Sequence, residues 1–386
     1  MRRAFAFVLL LLLLLSGCCP EEQTPQQNEN CTLTFITIGK GDAFLLTTSA
    51  EHHFLIDTGK AEDYPQIARL LRVKGIENLD GIFLSHGHKD HAGSLEPLLE
   101  AFPTQTVFLS DSDTVSYHEI DAAALADAHG AEIRKLTASE TLEIDGLEIQ
   151  CWHPEQPVLD NENNNSLVLH ITCGNTSFLL MGDAELEEET ALMTSDFPLK
   201  ADILKLGHHG ENDASSDAFL RKVEPQYALI TGNEAENPDS VDPVVADRLK
   251  AHGIIPFYSE ADGLALDFHS DGQSISWNVV EDAEIPSPLS LTISDVDRKN
   301  QRVTIQNTGS QAADLSGCTL FSQRGDEAYR FPMQTLLPPG DSIVVACRGH
   351  EQPGDLIWGR ENVWKKKNDA ALLFDLNFTL LDRNAN

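Results

Sequence analysis

One turn of the chain, Ser85-His86-Gly87-His88-Lys89-Asp90-His91, carries three imidazoles and a carboxylate. Imidazole nitrogen is a borderline-soft ligand and carboxylate oxygen a hard one, so donors of both kinds within a few ångströms suit zinc, manganese or iron. Density of this order is hard to explain as structure, because a packed core or a surface normally accommodates a histidine singly. The His-Glu-x-x-His helix motif of zinc proteases is absent, which points to a different metal class. No Gly-x-Ser-x-Gly stretch or similarly placed nucleophile is present.

Something must hold that turn in place. The run Gly81-Ile82-Phe83-Leu84 just before it is short and continuously apolar, as in a buried strand. Upstream, short β-type runs from Cys31 onward are punctuated by Gly39-Lys40-Gly41-Asp42 and Asp57-Thr58-Gly59. Ile67, Leu70 and Leu71 at helical spacing predict a helix over 64–74 that stops before Gly75. Further strands are predicted at 106–110, 142–152, 166–172, 177–181, 202–206 and 227–231. Hairpins mixed with single helices predict an α+β domain of stacked sheets flanked by helices, not a doubly wound parallel sheet. Residues 281–288 read as a linker with two prolines and three acids. Beyond it, β runs at 289–293, 302–307, 317–322, 342–346 and 370–374 predict a small all-β sandwich over 289–386.

Over residues 31–280 the order of motifs resembles the metallo-β-lactamase superfamily, and within it the soluble domain of ComEC-type competence proteins. The matching segments are Gly39-Lys40-Gly41-Asp42, Asp57-Thr58-Gly59, His86-Gly87-His88-Lys89-Asp90-His91, Asn163-Asn164-Asn165-Ser166-Leu167-Val168-Leu169, Gly182-Asp183 and Gly207-His208-His209-Gly210. The resemblance implies an αββα sandwich and two divalent metal ions, zinc or manganese. His86 and His88 would bind one, Asp90 and His91 the other, with Asp183 bridging. One of His208 and His209 would complete the second site, with His208 preferred as nearer the strand end. Asp90, His91 and Asp183 are the catalytic set this implies, and Asp57 and Asn165 are expected behind the ligands, with Asp57 orienting an imidazole. Two metals about 3.5–4 Å apart would hold a bridging hydroxide and stabilise the attacking and leaving oxygens of a phosphodiester. The chain departs from the pattern where Asn163 to Asn165 replace a ligand histidine of the wider superfamily, which predicts a weaker first site. Asp242 stands at a histidine position, Lys40 replaces a glutamine, and Glu211 replaces a serine.

Residues 289–386 resemble a lamin-tail domain, through Val303 to Asn307, Asp314-Leu315-Ser316-Gly317, Leu337-Pro338-Pro339-Gly340 and the stretch from Trp358 to Asp369. An envelope, polymer or partner contact is expected of it. At the other end, Arg2 and Arg3 precede the apolar run Phe5 to Leu15, which is too short for the roughly 20 residues that span a bilayer. Residues 1–17 therefore read as a signal peptide, and Leu15-Ser16-Gly17-Cys18 as a lipobox that lipidates Cys18, with 18–30 as a tether. The expected location is extracytoplasmic, on a bacterial membrane. There disulfides are permitted, with Cys151–Cys173 and Cys318–Cys347 as possible pairs.

The 386 residues hold 27 Lys plus Arg against 61 Asp plus Glu, a formal charge of −34, which excludes a binder of the basic-patch kind. At 41% apolar and 23% charged, the chain is ordinary globular material. The expected function is metal-dependent hydrolysis of phosphodiesters, DNA among them. A small ester, lactone or phosphodiester substrate, or an envelope-binding lipoprotein with a relict metal site, are the alternatives.

Overall fold

The computed structural model describes residues 30–111, 120–158, 160–232, 241–260, 263–283 and 285–385. Residues 1–29, which include the expected signal peptide, Cys18 and most of the expected tether, lie outside the described residues.

Strands β1 (Cys31–Ile36), β2 (Phe44–Thr48), β3 (His53–Ile56), β4 (Leu79–Phe83), β5 (Thr104–Ser110) and β6 (Glu132–Leu136) form one sheet, antiparallel at first and parallel from β3 onward. The chain then builds a second sheet from β7 (Thr141–Ile144), β8 (Leu147–Trp152), β9 (Val168–Cys173), β10 (Thr176–Leu180), β11 (Ile203–Lys205), β12 (Tyr227–Ile230) and β13 (Ile255–Tyr258). It returns through β14 (Ala265–Ser270) and β15 (Ile275–Val280), which add to the first sheet beside β1.

Both sheets are covered on both faces, which is why their strands read as nearly unbroken apolar runs. Leu33, Phe35, Phe44, Phe83 and Phe108 point from the first sheet at Ile149, Ile171, Phe178 and Ile203 of the second, making the middle layer. On its outer face, Ile36, Leu45 and Ile82 meet α1 (Tyr64–Val73), α3 (Leu95–Ala101) and α4 (Ala122–Ala128), while the four-residue α2 (Lys89–Ala92) lies between α1 and α3 in the chain. The second sheet's outer face is closed by α5 (Leu186–Thr194), α6 (Asp217–Val223) and α7 (Pro243–His252). The result is helix, sheet, sheet, helix. The single strand expected at 142–152 is instead the hairpin β7–β8. Asp145 and Gly146, with φ of 51° and 86°, take the left-handed pair of angles that a two-residue turn requires.

Downstream of β15, two four-stranded sheets pack around Ile293, Ile305, Leu320, Trp358 and Leu373. One sheet comprises Leu291–Asp297, Arg302–Asn307, Ser342–Cys347 and Leu356–Trp358; the other comprises Glu327–Arg330, Thr319–Ser322, Ala371–Phe374 and Leu380–Asn384. This sandwich docks on the helical face of the first sheet. Phe378 meets Tyr64 edge to face at 5.2 Å, and buried Arg69 donates to Asp282 Oδ1 (2.9 Å), Ala283 O (2.6 Å), Asn377 O (2.9 Å) and Thr379 Oγ1 (3.0 Å). Among the described residues no helix is long and apolar enough to cross a membrane.

The described cysteines are buried thiols. Register rules out joining Cys151 to Cys173: Cys151 pairs with Leu169, four residues away from Cys173 along β9, or about 13 Å.

Arg69→Ala should remove roughly 2–3 kcal/mol of docking through its charged hydrogen bonds. Calorimetry should then resolve two transitions where the parent chain gives one, and a single unshifted transition would contradict this role for Arg69.

Candidate metal centre

Parallel strands β3, β4, β10, β11 and β12 end at one edge, where the two sheets part. Asp57 follows β3, the histidine-rich turn follows β4, Asp183 follows β10, the His208-His209 pair follows β11 and Thr231 follows β12. Leu167 N donates to Ser85 O (2.9 Å), tying the sheets together at this edge. The turn carrying Asp183 needs Gly182. At φ 54°, a Cβ there would come within 2.8 Å of both Ser166 Oγ and Ser85 Cβ.

Asp183 is the hub. Its Oδ2 lies 3.1 Å from His91 Nε2, 3.3 Å from His209 Nε2 and 4.0 Å from His86 Nε2. His209 Nε2 is also 3.5 Å from Asp90 Oδ2, and His86 Nε2 is 3.0 Å from His88 Nδ1. Ligand atoms of His86, His91 and Asp183 all lie within 4.8 Å of one another, as do those of Asp42, His91 and His209. His91 Nε2 and Asp183 Oδ1 are buried and make no hydrogen bond of good geometry, His91 Nε2 having only the ion-pair contact with Asp183 Oδ2. Buried polar atoms are ordinarily paired, so nitrogen and carboxylate donors converging unsatisfied on one point fit a divalent cation.

Behind these donors the far side of each ring is held. Asp57 Oδ2 takes His91 Nδ1 at 2.9 Å, while Ser85 N and Oγ each donate to Asp57 at 2.7 Å. Asp57 adopts φ 58°, a costly angle for this residue type that these three contacts hold in place. His209 Nδ1 meets Thr231 Oγ1 at 2.9 Å and Asp42 Oδ1 at 3.5 Å. Lys205, wholly buried, is ion-paired to Asp42, donates to Gly182 O (2.6 Å) and stands 3.6 Å from Asp183 Oδ1.

The charges follow from these contacts. Burial alone would raise Asp183, but the charges of His209 and His91 carry its pKa well below the usual carboxylate range. Burial likewise opposes charge on His209, yet Asp183, Asp42 and Asp90 lift it to about 10; His91 is raised well above its ordinary value by Asp183, Asp42 and Asp57. His86 is driven the other way by burial and by His91.

The edge therefore gathers His86, His88, Asp90, His91, Asp183 and His209, with Asp57 behind His91. Two expected residues are elsewhere. His208, preferred over its neighbour, turns away: its Nδ1 meets Asp213 Oδ1 at 2.9 Å and its Nε2 lies 3.4 Å from Asn163 Nδ2. Successive left-handed angles, φ 43° at His208 and 55° at His209, throw the two rings to opposite sides, so the inward one is His209. Asn165 does not back the ligands. Its amide closes a loop by accepting from Val158 N (2.7 Å) and donating to Val158 O (2.9 Å). Asp242 caps α7, accepting from Val244 N at 2.7 Å, while residues 237–240 lie outside the described residues. Asp42 and Lys205 were given no role from sequence. Lys205 did carry a signal, as a lone charge in the apolar run Ile203-Leu204-Lys205-Leu206.

Residues 36–231 match the metallo-beta-lactamase superfamily model, and the chain belongs to that superfamily. Residues 285–385 match the Lamin Tail Domain. Curated proteins similar to this chain include ComEC-type competence proteins. ComE operon protein 3 of Bacillus subtilis is 27% identical over 248 residues, 60% of this chain and 32% of that protein. Competence protein ComA of Neisseria gonorrhoeae is 29% identical over 244 residues, 63% of this chain and 32% of that protein. The chain thus spans about a third of the length of these relatives. Among solved structures, the metallo-beta-lactamase fold protein YhfI from Bacillus subtilis aligns with a TM-score of 0.43 at 15% identity, covering 59% of this chain and 95% of that one.

Lys205→Met leaves the Asp42 carboxylate buried without its cation and should cost about 3–5 kcal/mol. Urea denaturation measures this, and adding Asp42→Asn should recover part of the loss. A double variant no better than the single would show that the two side chains do not act as a pair.

Proposed function

We propose that this protein is a lipid-anchored, extracytoplasmic hydrolase that uses two divalent metal ions to cleave phosphodiesters, with DNA as the leading substrate. The observation that carries the reading is the position of Asp183 between two donor groups. His86 and His88 would hold one cation with it; Asp90, His91 and His209 would hold the other. When bound, such a pair supplies Lewis acidity and a nucleophile drawn from water at neutral pH.

The chain's own residues do the rest. Asp57 holds the Nδ1 proton of His91, leaving Nε2 as the donor atom facing the edge. Asp42 and Thr231 orient His209 in the same way, and Lys205 restrains Asp183. With Asn163 to Asn165 in place of a histidine, the first cation would be the more weakly held.

DNA is supported by the similarity to ComE operon protein 3 and competence protein ComA. A second reading, a small ester, lactone or phosphodiester, is favoured by the carboxylates around the donors. Glu162 lies 3.5 Å from His88, Glu185 lies 3.9 Å from His208, and Glu211 is paired with Lys40 at 3.0 Å. Long polyanions gain their affinity chiefly by pairing phosphates with Lys and Arg, whereas Glu162 and Glu185 place carboxylates beside these histidines. The reading places the acyl group on Cys18 and assigns the C-terminal domain contact with the envelope or a polymer.

Incubation with single- and double-stranded DNA and manganese or zinc should give degradation, reduced more than about 100-fold in a variant carrying Asp90→Ala and His91→Ala. Metal bound without degradation would leave only the small-substrate reading. Substoichiometric metal in protein never exposed to chelator would count for a relict site.

Metal uptake should also release protons. His91 and His209 are raised in the metal-free cluster, so at pH 7.5 both carry protons that a cation must displace. Affinity should climb as pH rises toward about 10, where His209 loses its proton. Titration calorimetry in two buffers of different ionisation enthalpy reads this directly, and equal heats would show that no proton leaves. In the metal-free chain the same raised pKa gives His209 a stabilising contribution that is complete below about pH 6.5 and lost on approach to about pH 10.

A further inference from the structure

We propose that Cys31 and Cys173 are joined by a disulfide that staples the two sheets of the sandwich together at the strand ends opposite the metal-ligating turns. Cys31 opens β1, on the same face as Leu33 and Phe35, which point into the layer between the sheets. Cys173 closes β9, on the same face as Ile171 and Leu169, which point into that layer from the other side. The Cys173 thiol is near enough to Cys31 to raise its pKa, together with burial.

The strand register supports the same placement independently. Cys31 is paired with Ser270 across β1–β14, and Cys173 with Thr176 across β9–β10. Ser270 Oγ and Thr176 Oγ1 meet at 2.6 Å, so the partners of both cysteines already touch from opposite sheets. Side chains as short as these bridge sheets only where the backbones come well inside the usual separation of about 10 Å. Close approach of this kind is what a disulfide needs, with Cα atoms about 4.4–6.8 Å apart. Next to this patch, Asn175 N donates to Gly272 O (2.7 Å) and Asn175 Nδ2 donates to Gln273 Oε1 (2.9 Å), so the two hairpin turns are also tied.

Access exists as well. Cys31 lines a surface depression of about 310 Å³ with Thr48, Ser270 and Asp271. Oxidation needs a disulfide as co-reactant, either a dithiol-disulfide oxidoreductase or a small-molecule disulfide. One cysteine thiolate attacks it, forming a mixed disulfide and releasing one thiol. The second cysteine thiolate then displaces the remaining half. One S–S bond forms and one breaks, and the protons of both cysteines leave on the two thiols of the reduced oxidant.

In the cell the bond rests on the extracytoplasmic reading, so the test has two arms. The full chain is first unfolded, reduced and refolded in a mixture of reduced and oxidised glutathione, which examines the pairing whatever the compartment. The second arm takes full chain exported by a bacterial host, quenches it in acid and alkylates it. Non-reducing digestion and mass spectrometry should find a linked peptide holding Cys31 and Cys173 in both arms, with Cys151, Cys318 and Cys347 alkylated. Alkylation of Cys31 and Cys173 after refolding, or linkage of either to another cysteine, Cys19 included, overturns the proposal. Linkage on refolding but not in the cell, with Cys18 unacylated, would instead remove the export reading. Reductant should lower the melting temperature of the oxidised chain by at least about 5 °C, because the bond closes a long loop, and should leave a Cys31→Ala, Cys173→Ala variant unmoved. An oxidised parent chain insensitive to reductant would overturn the stapling role.

Discussion

Charge taken out of water at the parting of two sheets is the constraint to which everything else in this structure answers. Asp42, Asp57 and Asp183 are almost wholly buried, and so are His86, His91 and His209. A carboxylate cannot sit in such a place unless cations or hydrogen-bond donors face it. Lys205 supplies a permanent cation from the middle of a strand, and Ser85 supplies two donors to Asp57. The remaining negative charge draws protons onto His91 and His209. Those are the protons that divalent cations would replace.

The architecture makes such a concentration possible. Parallel strands from both sheets deliver their C-terminal ends to one edge, so residues from five separate turns converge without a long loop. Backbone strain collects there too. Asp57, His208 and His209 all adopt positive φ, and each is held by side-chain contacts, to His91, Asp213 and Thr231 respectively. The hydrophobic layers on either side supply the stability that absorbs this cost. The layer between the sheets is rich in phenylalanine, with Phe83 stacked on Phe108 at 4.2 Å and Phe35 on Phe44 at 5.3 Å.

The C-terminal sandwich is more than an appendage. Phe321, Phe374 and Phe378 belong to the same apolar cluster as α1 and α3, and Arg360 reaches Glu96 of α3 as well as Glu327 of its own domain at 3.2 Å. Buried Arg69 joins the helix, the linker and the second domain through one guanidinium, whose planar fork can serve several acceptors at once. The second domain is therefore placed in a fixed relation to the helices of the first, and whatever it contacts also orients the catalytic domain.

Much of this was legible in the residues themselves. Three histidines and an aspartate in one turn pointed to the edge where the buried nitrogen and carboxylate groups converge, because no structural need gathers those side chains so closely. Alternating runs and glycine turns gave the stacked sheets, and the linker at 281–288 separated two patterns of strands. What sequence left open was direction. Whether His208 or His209 points inward depends on two left-handed backbone angles, and Asn165 braces a loop because Val158 happens to fold back on it. Asp42 and Lys205 meet across 163 positions of chain, a pairing that only the stacking of one sheet on the other creates. The types and spacing of residues determined the chemistry, since those are local properties. Which atoms face one another was decided by tertiary structure, because that depends on how distant strand ends are brought together.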